Sequence, residues 1–181
     1  MENKKTIKLI VAVVIQVAII LTLVIFNQSI TANGSSVLLR IAPVDPRDPL
    51  RGDFVTYQYE ISRLSAYQFE GGAPVNGQDV YVELVQRGKY YLVERASSKR
   101  PESGLVIRGV VERGGRDTIL ATSTPDWNNQ TVLVKYGIEE AFIPEGSGWT
   151  LPSGEAYARV KVAENGNARV VGIYINDKPW P

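Results

Sequence analysis

Two hydrophobic periods divide the chain. From Ile7 to Phe26 the run IKLIVAVVIQVAIILTLVIF is almost wholly apolar, broken only by Lys8, Gln16 and Thr22. A helix of about 20 such residues is roughly 30 Å long, the thickness of a bilayer's hydrocarbon. A helix apolar on every side suits lipid rather than the surface of a small domain. From Val37 onward apolar and polar positions alternate instead, which is the period of half-buried β-strands. The strand candidates are Val37–Ala42, Asp53–Ile61, Asp79–Gln86, Tyr90–Ala96, Leu105–Arg113, Asp117–Ser123, Thr131–Gly137, Ala156–Ala163 and Ala168–Asn176. Arg87-Gly88-Lys89, Gly114-Gly115 and Glu164–Asn167 read as hairpin turns between neighbouring strands. Ser62–Glu70 and Gly137–Ile143 carry some helical spacing, with strand or loop equally open for each. The expected fold is mainly β, an antiparallel sandwich or partly open barrel of about nine strands, preceded by one N-terminal transmembrane helix.

The charges flanking the apolar run orient it. Lys4, Lys5 and Lys8 lie at its start, and no Lys or Arg follows before Arg40. By the positive-inside rule the N-terminus is cytoplasmic and the remainder lies outside the cytoplasm. The expected layout is a cytoplasmic tail over 1–6, a transmembrane helix over 7–26, a polar linker over 27–36 and an extracytoplasmic β-domain over 37–181. A cleaved signal peptide fits less well. Its apolar region runs about 7–15 residues and ends at small residues, which NQSITANGSS does not offer. The expectation is a single-pass, uncleaved anchor in the bacterial cytoplasmic membrane, in contact with the lipid bilayer through residues 7–26.

Composition then removes chemistry. The chain holds no histidine and no cysteine. The commonest general base and transition-metal ligand, the thiol nucleophile and the disulfide are all missing, so no catalytic residue, metal or cofactor is expected. Lys+Arg number 20 and Asp+Glu 19, with no basic cluster beyond the N-terminal tail, so nucleic acid is not an expected partner.

The densest group of special residues lies in PVDPRDPLRGDFVTYQYEI, Pro43 to Ile61. Asp45, Arg47, Asp48, Arg51, Gly52 and Asp53 stand among prolines that hold Asp45 and Asp48 in extended geometry. Carboxylates on a loop are hard ligands for calcium. Interleaved arginines and the absence of EF-hand spacing favour a rigid corner or a docking loop, in which Asp pairs with Arg and backbone N–H groups. The loop begins soon after the apolar run and is expected near the membrane surface. Tyr57, Tyr59, Trp127, Glu139, Glu145 and Trp149 are further candidate contacts for a ligand or interface. Rings on loops stack on sugars or anchor interfaces, and a carboxylate pair could serve hydrolysis if it faced Asp53 across a cleft.

Gly52-Asp53-Phe54-Val55-Thr56-Tyr57-Gln58-Tyr59 resembles the signature of the GDYXXLXY family of bacterial membrane-anchored proteins. Phe54 stands where the signature has Tyr, and Tyr57 where it has Leu. Tyr136–Gly146, YGIEEAFIPEG, is similar to the family's later aromatic–Pro–Glu–Gly stretch. The resemblance implies a membrane association, and a multi-spanning membrane protein as partner, without implying an activity. The approach to Gly52-Asp53 is also similar to the catalytic region of membrane-anchored signal peptidases, but no Ser lies between Val37 and Gly52 to act as their nucleophile. The function these readings suggest is that of a non-catalytic, membrane-anchored extracytoplasmic domain, an accessory or structural subunit of a membrane assembly. The alternative is an envelope glycan-binding module or a carboxylate-dependent hydrolase.

Overall fold

The computed structural model describes residues 2–42, 54–72, 74–114, 130–142 and 154–180; within these, side chains are described for 7–22, 34–42, 57–72, 74–114, 130–140 and 154–180. The fold is mainly β, with one N-terminal helix α1, Glu2–Asn33. Every side chain from Ile7 to Thr22 is exposed, and the apolar ones point outward on all sides of the helix. Among the described residues no helix is long and apolar enough to cross a membrane. The described side chains stop at Thr22, so the last four positions of the expected 7–26 span lie outside them.

The stretch read as a linker over 27–36 is helical to Asn33 and enters strand β1, Ser35–Ala42, after Gly34 alone. β1 pairs on one side with β11, Ala156–Val162, and on the other with the short β3, Gln58–Tyr59. β12, Ala168–Ile175, and β13, Lys178–Trp180, complete a five-stranded sheet in the order β13-β12-β11-β1-β3. The β12–β13 turn places Asn176 and Asp177 at positive φ (49° and 63°), where their short polar side chains are tolerated. A second sheet of six strands has the order β4-β9-β8-β6-β7-β5. Its members are β4 Arg63–Ser65, β5 Phe69–Glu70, β6 Asp79–Arg87, β7 Tyr90–Ser97, β8 Val106–Arg113 and β9 Thr131–Lys135. Among the described residues all pairings are antiparallel except β5 with β7. The inner faces of both sheets meet in one core that includes Val37, Leu39, Val80, Val82, Ile107, Val132, Val134 and Val160.

The β6–β7 and β11–β12 hairpins stand where the alternation and turns predict them. Asp117–Ser123 lies outside the described residues; among the described residues β8 pairs with β6 and β9. That second pairing needs Gly109, because a Cβ there would sit 2.4 Å from Val134 Cγ1 and 2.9 Å from the Lys135 carbonyl. The Asp53–Ile61 strand is divided. β2, Phe54–Thr56, pairs with β10, Glu140–Phe142, in a separate two-stranded sheet, while β3 belongs to the five-stranded one. Neither helical candidate is an α-helix. Ser62–Glu70 forms β4, a single 3-10 turn over Ala66–Gln68, and β5. A helix would turn Tyr67 inward beside Leu64, but burial follows a period near two: Leu64, Ala66 and Phe69 are buried and Tyr67 is 76% exposed. Over Gly137–Ile143 a turn at Gly137 (φ +75°) leads into β10.

Eight extended residues carry the chain about 26 Å from Ser35 before Ala42 leaves the described residues. The loop that begins at Pro43, expected near the membrane surface, lies outside the described residues.

Candidate functional site

At Tyr57 the chain passes from one sheet to another, and the change of sheet explains the local geometry. Its N–H donates to the Glu139 carbonyl at 2.9 Å, continuing the β2–β10 ladder by one bond before β3 joins β1. Tyr57 and Tyr59 are both 0% exposed, with ring centroids 5.4 Å apart and ring planes nearly perpendicular. The Tyr59 hydroxyl donates to the Ile138 carbonyl at 2.8 Å and lies 3.4 Å from the Tyr57 hydroxyl. Tyr136 is buried beside them and donates its hydroxyl to the Ile61 carbonyl at 2.5 Å. Burial is the largest cause raising all three tyrosines above the ordinary phenol value, Tyr59 and Tyr136 most strongly; nearby Glu139 pushes in the same direction.

Glu139 locks the turn that faces these rings. It is 6% exposed; one carboxylate oxygen accepts the Tyr136 N–H at 2.5 Å and the other accepts the Ile138 N–H at 2.9 Å. Gly137 between them supplies the left-handed backbone that lets one carboxylate reach both donors. A buried carboxylate is a frequent sign of catalysis, but a carboxylate with both oxygens on backbone donors is occupied in holding a loop.

A cleft of about 190 Å³ opens beside this cluster, lined among others by Tyr57, Gln58, Ser62, Arg113, Lys135 and Glu139. Lys135 pairs with Glu112 at 2.7 Å, Gln58 accepts a bond from Arg63 at 3.4 Å, and the Ser62 hydroxyl accepts the Tyr59 N–H at 3.3 Å. The cleft offers polar contacts for a small group. Among the described residues no cluster of carboxylates has the makings of a metal site.

The structure thus places Tyr57, Tyr59 and Glu139 together, though as core and loop-locking groups and not as an exposed recognition face. Asp45, Arg47, Asp48, Arg51, Gly52, Asp53, Trp127, Glu145 and Trp149 lie outside the described residues.

A second constellation went unread in the sequence. On the outer side of the five-stranded sheet Tyr157 and Tyr174 stack with centroids 5.2 Å apart, and Tyr90 meets Tyr157 edge-on at 5.7 Å. Lys89 lies 4.1 Å from the Tyr157 ring centre, Arg159 4.8 Å from that of Tyr174, and Arg40 4.4 Å from that of Tyr90. Asp177 accepts from Lys89 and, at 2.8 Å, from the Tyr157 hydroxyl; these bonds hold its carboxyl below the usual carboxylate range. The alternation of Tyr157 with Arg159 was a visible signal. Its cross-strand partners were not, because the β11–β12 register shifts between Arg159 and Val160.

No curated protein and no solved structure matches the chain. The family model described as GDYXXLXY protein matches residues 16–173, a span holding the divided signature strand, the Glu139 turn, the six-stranded sheet and all of the five-stranded one but β13 and the end of β12. The chain belongs to the GDYXXLXY family.

Proposed function

We propose that this protein is a non-catalytic, membrane-anchored extracytoplasmic β-domain that serves as an accessory or structural subunit of an assembly in the bacterial cytoplasmic membrane, with a multi-spanning membrane protein as its partner. The observation that carries this reading is α1. Its side chains from Ile7 to Thr22 are exposed all round, an arrangement that in water would leave a long apolar column uncovered. Residues 23–26 of the sequence extend that stretch to the length a bilayer requires. The missing His and Cys, and the commitment of both Glu139 oxygens to backbone donors, support a binding role over a catalytic one. The glycan or hydrolase alternative draws little from the described residues: the faces of the outer tyrosines are covered by Lys89, Arg159 and Arg40.

The test is crosslinking in native membranes, followed by purification of the tagged full chain. An Asp45→Ala/Arg47→Ala/Asp53→Ala variant, shown to be folded by circular dichroism, runs in parallel. Capture of one multi-spanning membrane protein by the wild type, and its loss in the folded variant, is the expected result. A chain released from membranes by alkaline carbonate, or one that captures nothing, overturns the reading.

A further inference from the structure

Between Lys8 and Arg40 the sequence holds no basic residue, so the exit of α1 is uncharged in sequence. Folding changes this. Ser36, just after that exit, pairs with Lys161 on β11, and Lys161 pairs in turn with Arg169 on β12. The two cations therefore stand one and two strand spacings from β1, within about 10 Å of the exit along the sheet. The Lys161 ammonium donates to the Gly34 carbonyl at 2.9 Å, fixing it at the junction itself. Across the same end, Arg100 donates to the Glu164 carbonyl in the β11–β12 turn, with Lys99 exposed next to it. That turn is tied to the second sheet by the Arg108 N–H, which donates to the Gly166 carbonyl at 2.8 Å. The α1 backbone runs close to β11 and β12, so the cations at that end of the two strands lie near its base.

We propose that Lys99, Arg100, Lys161 and Arg169 form a collar that binds the phosphates of anionic lipid headgroups around the point where α1 enters the β-domain. The proposal rests on the membrane reading above: a helix that spans the bilayer brings its exit, and whatever surrounds it, to headgroup level. Cations near an anionic surface are attracted within a screening length of it. The collar assembles only on folding, after the chain has crossed, and so does not compete with the topogenic Lys4, Lys5 and Lys8. Two strands anchored at the helix exit and charged on the same rung hold the domain at a set height, with its far end directed away from the bilayer.

The experiment reconstitutes the full chain into vesicles of phosphatidylcholine alone and of phosphatidylcholine with phosphatidylglycerol, and follows amide hydrogen exchange. Exchange over Ser97–Arg100 and Ala163–Arg169 is expected to slow several-fold in the anionic vesicles, with β6 unchanged. A Lys99→Gln/Arg100→Gln/Lys161→Gln/Arg169→Gln variant should lose the difference. The milder Lys99→Gln/Arg100→Gln pair, outside any strand, should reduce it even if the fourfold variant does not fold. Equal exchange in both vesicle types in a carbonate-resistant chain overturns the collar alone. Extraction by carbonate overturns the membrane reading and the collar with it. Slowing by inorganic phosphate added to neutral vesicles assigns the site to free phosphate and overturns the lipid assignment.

Discussion

Glu139 is where a structural and a chemical carboxylate make opposite predictions. Its oxygens are the acceptors of the buried Tyr136 and Ile138 N–H groups, so Glu139→Ala strands two donors. The expected cost is about 2–4 kcal/mol in urea unfolding, since an unsatisfied buried donor costs roughly 1–3 kcal/mol. Glu139→Gln keeps one acceptor and should cost less. A Glu139→Gln protein as stable as the wild type, yet unable to capture its partner, would make the carboxylate a contact group. The tyrosines around it set an alkaline limit. Their folded-state values lie above the unfolded phenol value near 10, so above that pH the unfolded chain releases protons that the folded chain retains. This contribution to stability is complete below pH 10 and is lost as the pH rises through the folded values. Absorbance at 295 nm should therefore show the buried tyrosines ionising only together with unfolding. Smooth titration of every tyrosine in a folded protein would contradict this.

Among the elements, the long ones were legible and the short ones were not, for a physical reason. β1, β6, β7, β8, β9, β11 and β12 each present at least two inward apolar residues at period two, and alternation registers them. β2, β3, β4, β5, β10 and β13 have two or three residues each and exist only because a distant strand pairs with them. The signature strand shows the limit well. Alternation across Val55, Tyr57 and Tyr59 marks it as extended but carries no trace of the change of sheet at Tyr57, which depends on β10 and β1 arriving on different sides. The role of Glu139 was hidden likewise, because its partners are backbone groups. A close approach of strands leaves a sharper mark. Gly109→Ala forces a Cβ against Val134 and the Lys135 carbonyl, and overpacking of this kind costs about 1–3 kcal/mol. Val110→Ala, on the exposed side of the same strand, should change the midpoint of unfolding far less. Equal effects of the two would mean that β8 and β9 are not held at this spacing.

For the whole molecule the decisive feature is the junction. Only Gly34 separates α1 from β1, and the Lys161–Gly34 bond ties β11 to that junction. In a membrane-inserted chain the β11–β12 turn is then near the bilayer, and the β12–β13 turn lies about 26 Å farther along the strands. The absence of cysteine allows a single dye to be placed at either end: Glu164→Cys near the helix, Lys178→Cys far from it. With acceptor lipids in the vesicle, the near dye should transfer energy strongly and the far dye weakly. A Gly-Ser insertion at Gly34 should leave circular dichroism unchanged, bring the two efficiencies together and weaken capture of the partner. A freely swinging domain would present its surface at no fixed distance from the membrane. Equal efficiencies in the uninserted protein would show that the junction does not set the height. Docking would then have to be explained by contacts along the helix.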